Sequence, residues 1–482
     1  DEIGGEYGVE NGVVAGEEAG EVFGHQPLWA KGLEHVLAQL REAGHNLADV
    51  AAISGSGQQH GTVYLNSQAA AGLAKLDPAR TLEEQVQAWL ARPTSPIWQD
   101  SSTTRELGEV VDAIGRERFF ELTGNAPFER FSGPQIRKVF RQQPEVYAAT
   151  RHVALVSSFM ASVLAGRLAP WDEGDASGTH LLDIATKKLH PELLAATAED
   201  LESRLLPVAP AAAEAGKISP YFVERFGFSP ECRVILFSGD NPCSLIGLGL
   251  LAPGQAALSL GTSDTLFACT AEPRRSWEGA VFASPDGIHY MSLLCKANGS
   301  LARERVRKEC GFDWTEFAEA LGRTPPGNDG AMMLPYFVPE ITPKTIGPVV
   351  RLRGFAAEER DRYCRAVIEA QAMSLRIRSE YLGGIRAITA TGGASANKAI
   401  LQIFADVLDC PVSILETTNS AALGAALRAC HSRRNAAGTK CSWYDVAKPF
   451  TEPLATVQPR SAAAYTEPLA QFREFEDEFT GA

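Results

Sequence analysis

The chain has 482 residues and a formal net charge of −14, with 45% hydrophobic and 22% charged residues. This length predicts two or three domains of ordinary size, and the composition is typical of a soluble globular protein. The negative charge argues against a nucleic-acid or anionic-membrane partner, so an anionic nucleotide would have to be held locally by helix N-termini, glycine-rich loops and a divalent cation.

The cysteines indicate a reducing compartment. There are nine of them, and no two form a C-x-x-C pair. An odd number without paired spacing is most simply explained by free thiols, so a cytoplasmic location is expected. The segment that begins at Asp1 has neither basic residues nor an apolar centre, and the longest apolar runs are too short to span a bilayer.

The first half of the chain alternates helical and strand patterns. Apolar spacing predicts a helix over 29–43 and a buried helix over 157–168, whereas 50–54 and 64–65 have the pattern of strands. Residues 208–217 are rich in Ala and Pro and predict a connector.

The segment Ser238–Pro242 is the most informative in the chain. It follows the apolar run 234–237 and precedes small apolar residues, which predicts a buried strand, a tight glycine turn and a helix start. Asp240 would then lie at the positive end of a helix, where a carboxylate can accept a proton from a substrate hydroxyl. An ordinary helix cap is the alternative interpretation.

A similar pattern recurs in the second half. Strands over 255–260 and 266–269 enclose Gly261–Thr265, a turn of small and hydroxyl residues that could cradle phosphate or be an ordinary β-turn. A strand over 385–391 precedes Gly392-Gly393 and a helix from Lys398, which could form a flat surface for a base or a plain strand-to-helix turn. Further predictions are a strand over 411–415, a closely packed helix over 421–430, and a peripheral tail or returning helix over 472–479.

The usual nucleotide and hydrolase signatures are missing from the sequence. There is no Walker A motif, protein-kinase signature set, Gly-x-Ser-x-Gly elbow or His-Glu-x-x-His helix. A phosphotransferase with this sequence must therefore use another phosphate cradle.

Taken together, the motifs resemble the FGGY family of carbohydrate kinases from about residue 25 to residue 430. The segments that carry the resemblance are 57–61 (GQQHG), 98–100 (WQD), 129–131 (ERF), 239–241 (GDN), 260–263 (LGTS) and 391–395 (TGGAS). The resemblance implies an α/β fold of two ribonuclease-H-like domains, as in the actin-like ATPase superfamily, with an active-site cleft between them.

The resemblance also assigns roles to individual residues. Asp240 is implied as the base that deprotonates the attacking sugar hydroxyl, and as a candidate Mg²⁺ ligand through water. The implied sugar-binding residues are Gln59, His60, Asp100, Arg130, Asp240 and Asn241. The implied nucleotide-binding residues are Gly261, Thr262 and Ser263 in a phosphate loop, Gly392, Gly393 and Asn397 in an adenosine loop, and Trp314 near the adenine. Outside the family context, a structural histidine would explain His60 and a core tryptophan would explain Trp314.

The implied domains are an incomplete sugar-binding domain over 1–243, a nucleotide-binding domain over 244–434, and a tail over 435–482. Members of the family open with a β-hairpin that carries an Asp and a small hydroxyl pair. This sequence has no such segment, and about forty family residues are expected to be missing ahead of Asp1. ATP and Mg²⁺ are the implied cosubstrate and cofactor, and the protein is expected to be a monomer or homodimer.

The resemblance implies phosphorylation of D-xylulose to D-xylulose 5-phosphate. Ribulose, glycerol or sedoheptulose is the alternative substrate. Gly-Asp-Asn at 239–241, in place of the Gly-Asp-Gln typical of glycerol kinases, argues against glycerol. A sugar- and nucleotide-binding protein without catalysis is the alternative from another class.

Overall fold

The computed structural model describes residues 3–9, 12–416 and 419–480. The chain divides into two compact units, neither of which is one continuous stretch. Unit 1 comprises 1–247, 282–289 and 419–447, and unit 2 comprises 248–281, 290–418 and 448–482. The predicted domains over 1–243, 244–434 and 435–482 follow sequence order, whereas the packing units interleave. The main difference is that 419–447 packs with the N-terminal unit.

Most of the short helices and strands lie in unit 1. Its helices are α1 (Gln26–Glu42), α2 (Ala69–Leu73), α3 (Leu82–Val86), α4 (Thr104–Ile114), α5 (Arg116–Thr123), α6 (Ser132–Gln142), α7 (Pro144–Ala149), α8 (Val156–Ala165), α9 (Glu173–Ala176), α10 (Pro191–Thr197), α11 (Pro220–Phe226) and α12 (Asp240–Gly247). Its strands are β1 (Val14–Ala15), β2 (Val22–Gly24), β3 (Ala52–Ile53), β4 (Ser56–Gly57), β5 (Thr62–Leu65), β6 (Ser95–Pro96), β7 (His152–Leu155), β8 (Trp171–Asp172), β9 (Leu182–Asp183), β10 (Lys188–Leu189), β11 (Val208–Ala209), β12 (Glu214–Lys217), β13 (Arg233–Ile235) and β14 (Ser238–Gly239).

The remaining elements follow in chain order. The strands are β15 (Gln255–Leu260), β16 (Asp264–Thr270), β17 (Ala280–Ala283), β18 (Tyr290–Lys296), β19 (Met332–Tyr336), β20 (Val349–Arg353), β21 (Ala387–Thr391), β22 (Val412–Ile414) and β23 (Ala455–Val457). The helices are α13 (Ser300–Glu309), α14 (Trp314–Arg323), α15 (Arg360–Arg378), α16 (Lys398–Leu408), α17 (Ser420–Ala436), α18 (Trp443–Ala447) and α19 (Thr466–Thr480). Of these, α17, α18 and the last two residues of β17 belong to unit 1.

The central sheet of unit 2 has the order β17-β18-β16-β15-β21-β22-β23. β15 and β16 form an antiparallel hairpin that closes at the Leu260–Asp264 pair, and β21 runs parallel to β15 with Ser259 opposite Thr391. Because parallel neighbours end at the same edge, the turns after β15 and β21 lie side by side there.

In unit 1, two pairs of parallel strands position the turn at Asp240. β13 pairs with β3, and β14 pairs with β4 so that Ser238 lies opposite Ser56. α12 begins at Asp240, as predicted. It packs on α17, where Gly247 and Gly424 approach so closely that a Cβ on Gly424 would lie 3.0 Å from the Gly247 nitrogen.

Each unit has its own core. In unit 1 the largest fully buried side chains include Tyr64, Trp171 and Tyr221. In unit 2 Phe472 and Phe475 of α19 join the core, so the segment over 472–479 is a returning helix. The expected connector over 208–217 contains β11 and β12, since pairing with β8 and β13 outweighs the Ala- and Pro-rich composition.

Candidate active site

Most of the predicted sugar-binding residues of unit 1 lie where β4 and β14 end. Gln59 and His60 follow β4, while Asp240 and Asn241 follow β14, so the parallel pairing brings both turns to one edge. Asn241 Nδ2 donates to Gln59 Oε1 at 3.2 Å and to Asp240 Oδ1 at 3.3 Å. A Cβ on Gly239 would overlap the Gln59 side chain, so only glycine allows this approach.

Asp240 is exposed to solvent, although protein atoms surround much of its carboxylate. Burial of the carboxylate on the protein side raises its pKa, while backbone N–H groups of Asn241, Asp240 and Gln59 act in the opposite direction. These groups, together with the N-terminus of α12, favour the charged carboxylate, which is the form that can accept a proton.

His60 is held as a neutral ring. It is 7% exposed, stacks on Phe131 at 4.1 Å between centroids, and has Nδ1 2.6 Å from the Gly178 carbonyl oxygen. A carbonyl oxygen only accepts, so Nδ1 carries the proton and Nε2 keeps its lone pair. Burial, followed by the Arg130 charge, lowers the pKa of His60 to about 3.

Arg130 and Asp100 lie on neighbouring segments. Gln135 Nε2 donates to the carbonyl oxygens of Arg130 at 2.8 Å and Ile97 at 3.3 Å, which links the two segments. The Arg130 guanidinium lies 5.2 Å from the centre of the Phe128 ring, and its electrostatic effect reaches His60.

The Asp100 carboxylate is engaged locally. Its Oδ1 accepts from Ser102 N at 3.0 Å and Ser102 Oγ at 2.7 Å, and its Oδ2 accepts from Val22 N at 3.3 Å. These contacts stabilise the turn after Trp98. A direct role of Asp100 in sugar binding stays a prediction.

Sequence reasoning missed the buried charges behind the Asp240 turn. Arg428 of α17 is fully buried, and its Nη2 donates to the Leu236 and Ala211 carbonyl oxygens at 3.0 and 2.9 Å. Asp175 is buried, and burial together with Asp172 and Asp240 raises its pKa well above the usual range. Arg428 could have been suspected from the sequence, because it is a lone cation in the small apolar run 421–430.

Unit 2 contains the predicted nucleotide-binding residues. Thr262 and Ser263 are exposed at the tip of the β15–β16 hairpin. Gly392 follows β21 with a φ of +84°, and a Cβ there would lie 2.6 Å from the Leu260 carbonyl oxygen. The hairpin tip and the Gly392-Gly393 turn are therefore adjacent at the same sheet edge.

Beside this edge lies a cavity of about 750 Å³. Its lining residues are Ser300, Trp314, Thr315, Ala318, Gly393, Ala394, Ala396, Asn397, Lys398, Ala399 and Ile400. Trp314, Gly393 and Asn397, predicted separately from sequence, thus line one cavity. Its mixture of apolar walls and a few polar groups is typical of a small-molecule site.

Two of these residues are oriented by their own helices. Asn397 caps α16, with Oδ1 accepting from Ala399 N at 3.0 Å and Ile400 N at 3.3 Å. Trp314 opens α14 and is 45% exposed, with the Arg307 guanidinium 5.1 Å from its ring centre. A tryptophan this exposed is not a core residue.

Within 3–9, 12–416 and 419–480, no group of three His, Cys, Asp or Glu side chains could hold a metal ion. Mg²⁺ that arrives with nucleotide phosphates needs only one or two protein carboxylates, and Asp240 offers one. Over the same ranges, no helix is both long and apolar enough to cross a membrane.

Comparison with known proteins identifies the family. The C-terminal domain model of the FGGY family of carbohydrate kinases matches residues 256–433, and the N-terminal domain model matches 93–247. The rat protein named xylulose kinase is 40% identical over 98% of this chain and 90% of its own length. Arabidopsis thaliana xylulose kinase 2 is 42% identical over 86% of this chain and 78% of its own length.

The fold comparison agrees. The crystal structure of xylulose kinase from Rhodospirillum rubrum superposes with a TM-score of 0.83 at 20% identity, over 96% of this chain and 92% of that chain. This likeness confirms the predicted α/β, actin-like fold class. The matched domain models and the relatives' identity together show that this chain is an enzyme of the FGGY family of carbohydrate kinases.

Proposed function

We propose that this enzyme transfers the γ-phosphoryl group of ATP to D-xylulose and releases D-xylulose 5-phosphate. The choice of D-xylulose as the acceptor is supported by the two relatives described above. Both are named xylulose kinases, and they are 40% and 42% identical to this chain. Ribulose, glycerol and sedoheptulose are the competing acceptors to be assayed beside it.

The observation that carries the mechanism is the Asp240 carboxylate, which is exposed at the start of α12 and accepts a hydrogen bond from Asn241 Nδ2. In the proposed step it accepts the proton of the sugar hydroxyl as the oxygen attacks the γ-phosphorus. General-base catalysis of this kind contributes about 10²–10⁴-fold to a rate.

Neighbouring residues orient the sugar in this proposal. The free Nε2 of neutral His60 accepts from one hydroxyl, Asn241 Oδ1 accepts from another, and Arg130 donates to a third. The pairing of Asn241 with Gln59 pre-orients the amide, so less ordering is needed when sugar binds.

The nucleotide half of the proposal uses the hairpin tip and the cavity. Backbone N–H groups and hydroxyls of Gly261–Ser263 would donate to phosphate oxygens, and the adenine would stack on Trp314. Mg²⁺ would arrive as part of the Mg-ATP substrate and would neutralise phosphate charge.

Release of ADP with Mg-ATP and each of the four acceptors tests this function. We expect a strong preference for D-xylulose. Asp240→Asn should retain sugar binding and lose at least about 10²-fold in kcat. Asp112→Asn, an exposed change of the same charge on α4, should be unaffected.

The assay is repeated on a chain extended by the N-terminal β-hairpin that the family resemblance implies. Near-normal turnover of Asp240→Asn would exclude Asp240 as the base. Sugar binding without ADP release in both chain lengths would indicate a binding protein without catalysis.

A further inference from the structure

The tip of the β15–β16 hairpin rests on a buried ion pair. Asp264 is 1% exposed, and Arg303 of α13 is fully buried. Arg303 Nη1 donates to Asp264 Oδ2 at 2.7 Å, and Nη2 donates to Oδ1 at 2.8 Å. Such a two-pronged pair fixes direction as well as distance, which a lysine cannot do.

The same guanidinium also holds the other end of the tip. Nη2 lies 3.4 Å from the Gly261 carbonyl oxygen, which also accepts from Ser300 N at 2.8 Å. Gly261 and Asp264 flank the exposed Thr262 and Ser263, so both ends of the tip are tied to the start of α13.

A second layer holds Arg303 in place. Its Nη1 donates to Gln371 Oε1 at 2.9 Å, and Gln371 Nε2 donates to the carbonyl oxygens of Asn298 and Gly299 at 2.7 and 3.0 Å. A Cβ on Gly299 would lie 2.8 Å from both Asp264 N and Thr262 O. The loop before α13 therefore packs directly on the tip.

The start of α13 is also a wall of the cavity. Ser300, whose Oγ accepts from Arg303 Nη2 at 3.1 Å, lines the same cavity as Trp314 and Asn397. Arg303 itself is fully buried, so it acts through the groups that it orients.

We propose that Arg303 is a positioning residue for nucleotide phosphates, which fixes the Gly261–Asp264 tip relative to the cavity that takes the base. This rests on the proposed function, since it assumes that the tip receives phosphate. A preorganised set of donors binds and stabilises phosphoryl charge without reorganising during the reaction. Loss of Arg303 should therefore weaken binding of phosphates and leave binding of the nucleoside intact.

The test compares ADP with adenosine. ADP affinity is measured by calorimetry and adenosine binding by saturation-transfer NMR, on the wild type and on Arg303→Met and Arg303→Lys. We expect Arg303→Met to weaken ADP about 10–100-fold, the effect of losing one or two hydrogen bonds to a charged group. Adenosine affinity should stay within about twofold, and Arg303→Lys should recover part of the ADP loss.

Kinetics provide a second readout. In Arg303→Met the KM for ATP should rise and kcat should fall, while the KM for sugar stays within about twofold. Arg365→Met is the matched control, because Arg365 forms a similar buried pair with Glu369 at 2.6 Å in the same unit, and neither residue lines the cavity.

A folding defect is separated from lost positioning by two further variants. Asp264→Leu combined with Arg303→Met replaces the ion pair by apolar side chains, which often leaves stability unchanged. Gly299→Ala displaces the tip without changing any charge. Both should weaken ADP selectively.

Equal loss of ADP and adenosine, or unchanged ADP affinity in folded Arg303→Met, would overturn the proposal. A wild type that binds neither ligand would instead refute the nucleotide site of the proposed function.

Discussion

Gly424 in α17 packs against the carbonyl group of Cys243 in α12 with no room for a Cβ atom between them. α12 is the helix that begins at Asp240, so this contact sets how closely α12 packs on α17. The backbone at 424 has an ordinary helical conformation that any residue can adopt. The glycine is therefore required for the close packing of the two helices and not for its conformational freedom.

Replacing Gly424 by Ala should therefore destabilise the protein. The added methyl group would overlap backbone atoms that cannot rotate away, and overpacking of this kind costs typically about 1–3 kcal/mol. Urea unfolding followed by circular dichroism measures the effect. Gly108→Ala in α4 is the control, since no atom lies within 4 Å of its added Cβ, and it should leave the midpoint unchanged or raise it.

The pH dependence of catalysis should reflect the raised pKa of Asp240. The base works only when deprotonated, and burial raises its pKa above the ordinary value of 3.8. Activity should thus be complete at neutral pH and be lost as the pH falls through that raised pKa. A profile of kcat/KM for the sugar should place the acidic limb above the ordinary Asp value, and a limb at or below it would contradict the argument.

His60 should remain uncharged throughout the range in which the enzyme is studied. Its pKa is lowered to about 3 by burial and Arg130, so protonation is expected only in strong acid. The ¹⁵N shifts of the ring should show a protonated Nδ1 and a bare Nε2 from pH 5 to 8, with the signals assigned by their loss in His60→Gln. Titration of His60 near pH 6.5 would overturn the assigned hydrogen-bonding roles.

Trp314 should be the main aromatic contact of the adenine. Stacking of a base on an aromatic ring contributes about 1–3 kcal/mol, so Trp314→Ala should raise the KM for ATP about tenfold or more. Trp314→Phe should retain most of the affinity. Trp277→Phe, at another exposed tryptophan of unit 2, is the control. An unchanged KM in Trp314→Ala would exclude this contact.

Patterns within short segments of the sequence were enough to predict part of the fold and part of the candidate site. β15, β21 and the start of α12 follow from apolar runs that end in glycine turns, and those turns carry the predicted site residues. Parallel pairing then brings Gln59 beside Asn241, although the two are far apart in the chain.

Long-range pairing explains what sequence reasoning missed. Arg303 meets Asp264, and Arg428 meets Leu236, only because a helix packs under a distant strand end. No spacing rule connects these positions. The strands within 208–217 were missed for the same reason, since their partners lie elsewhere in unit 1.

The interleaved course of the chain has a consequence for its synthesis. α12 finds its packing partner only after α17 has been translated, when most of unit 2 has already left the ribosome. At translation rates of about 5–20 residues per second, the α12 surface around Cys243 and Gly247 stays uncovered for about ten to forty seconds. The nascent chain must therefore keep a half-finished N-terminal unit from aggregating while the second unit is made.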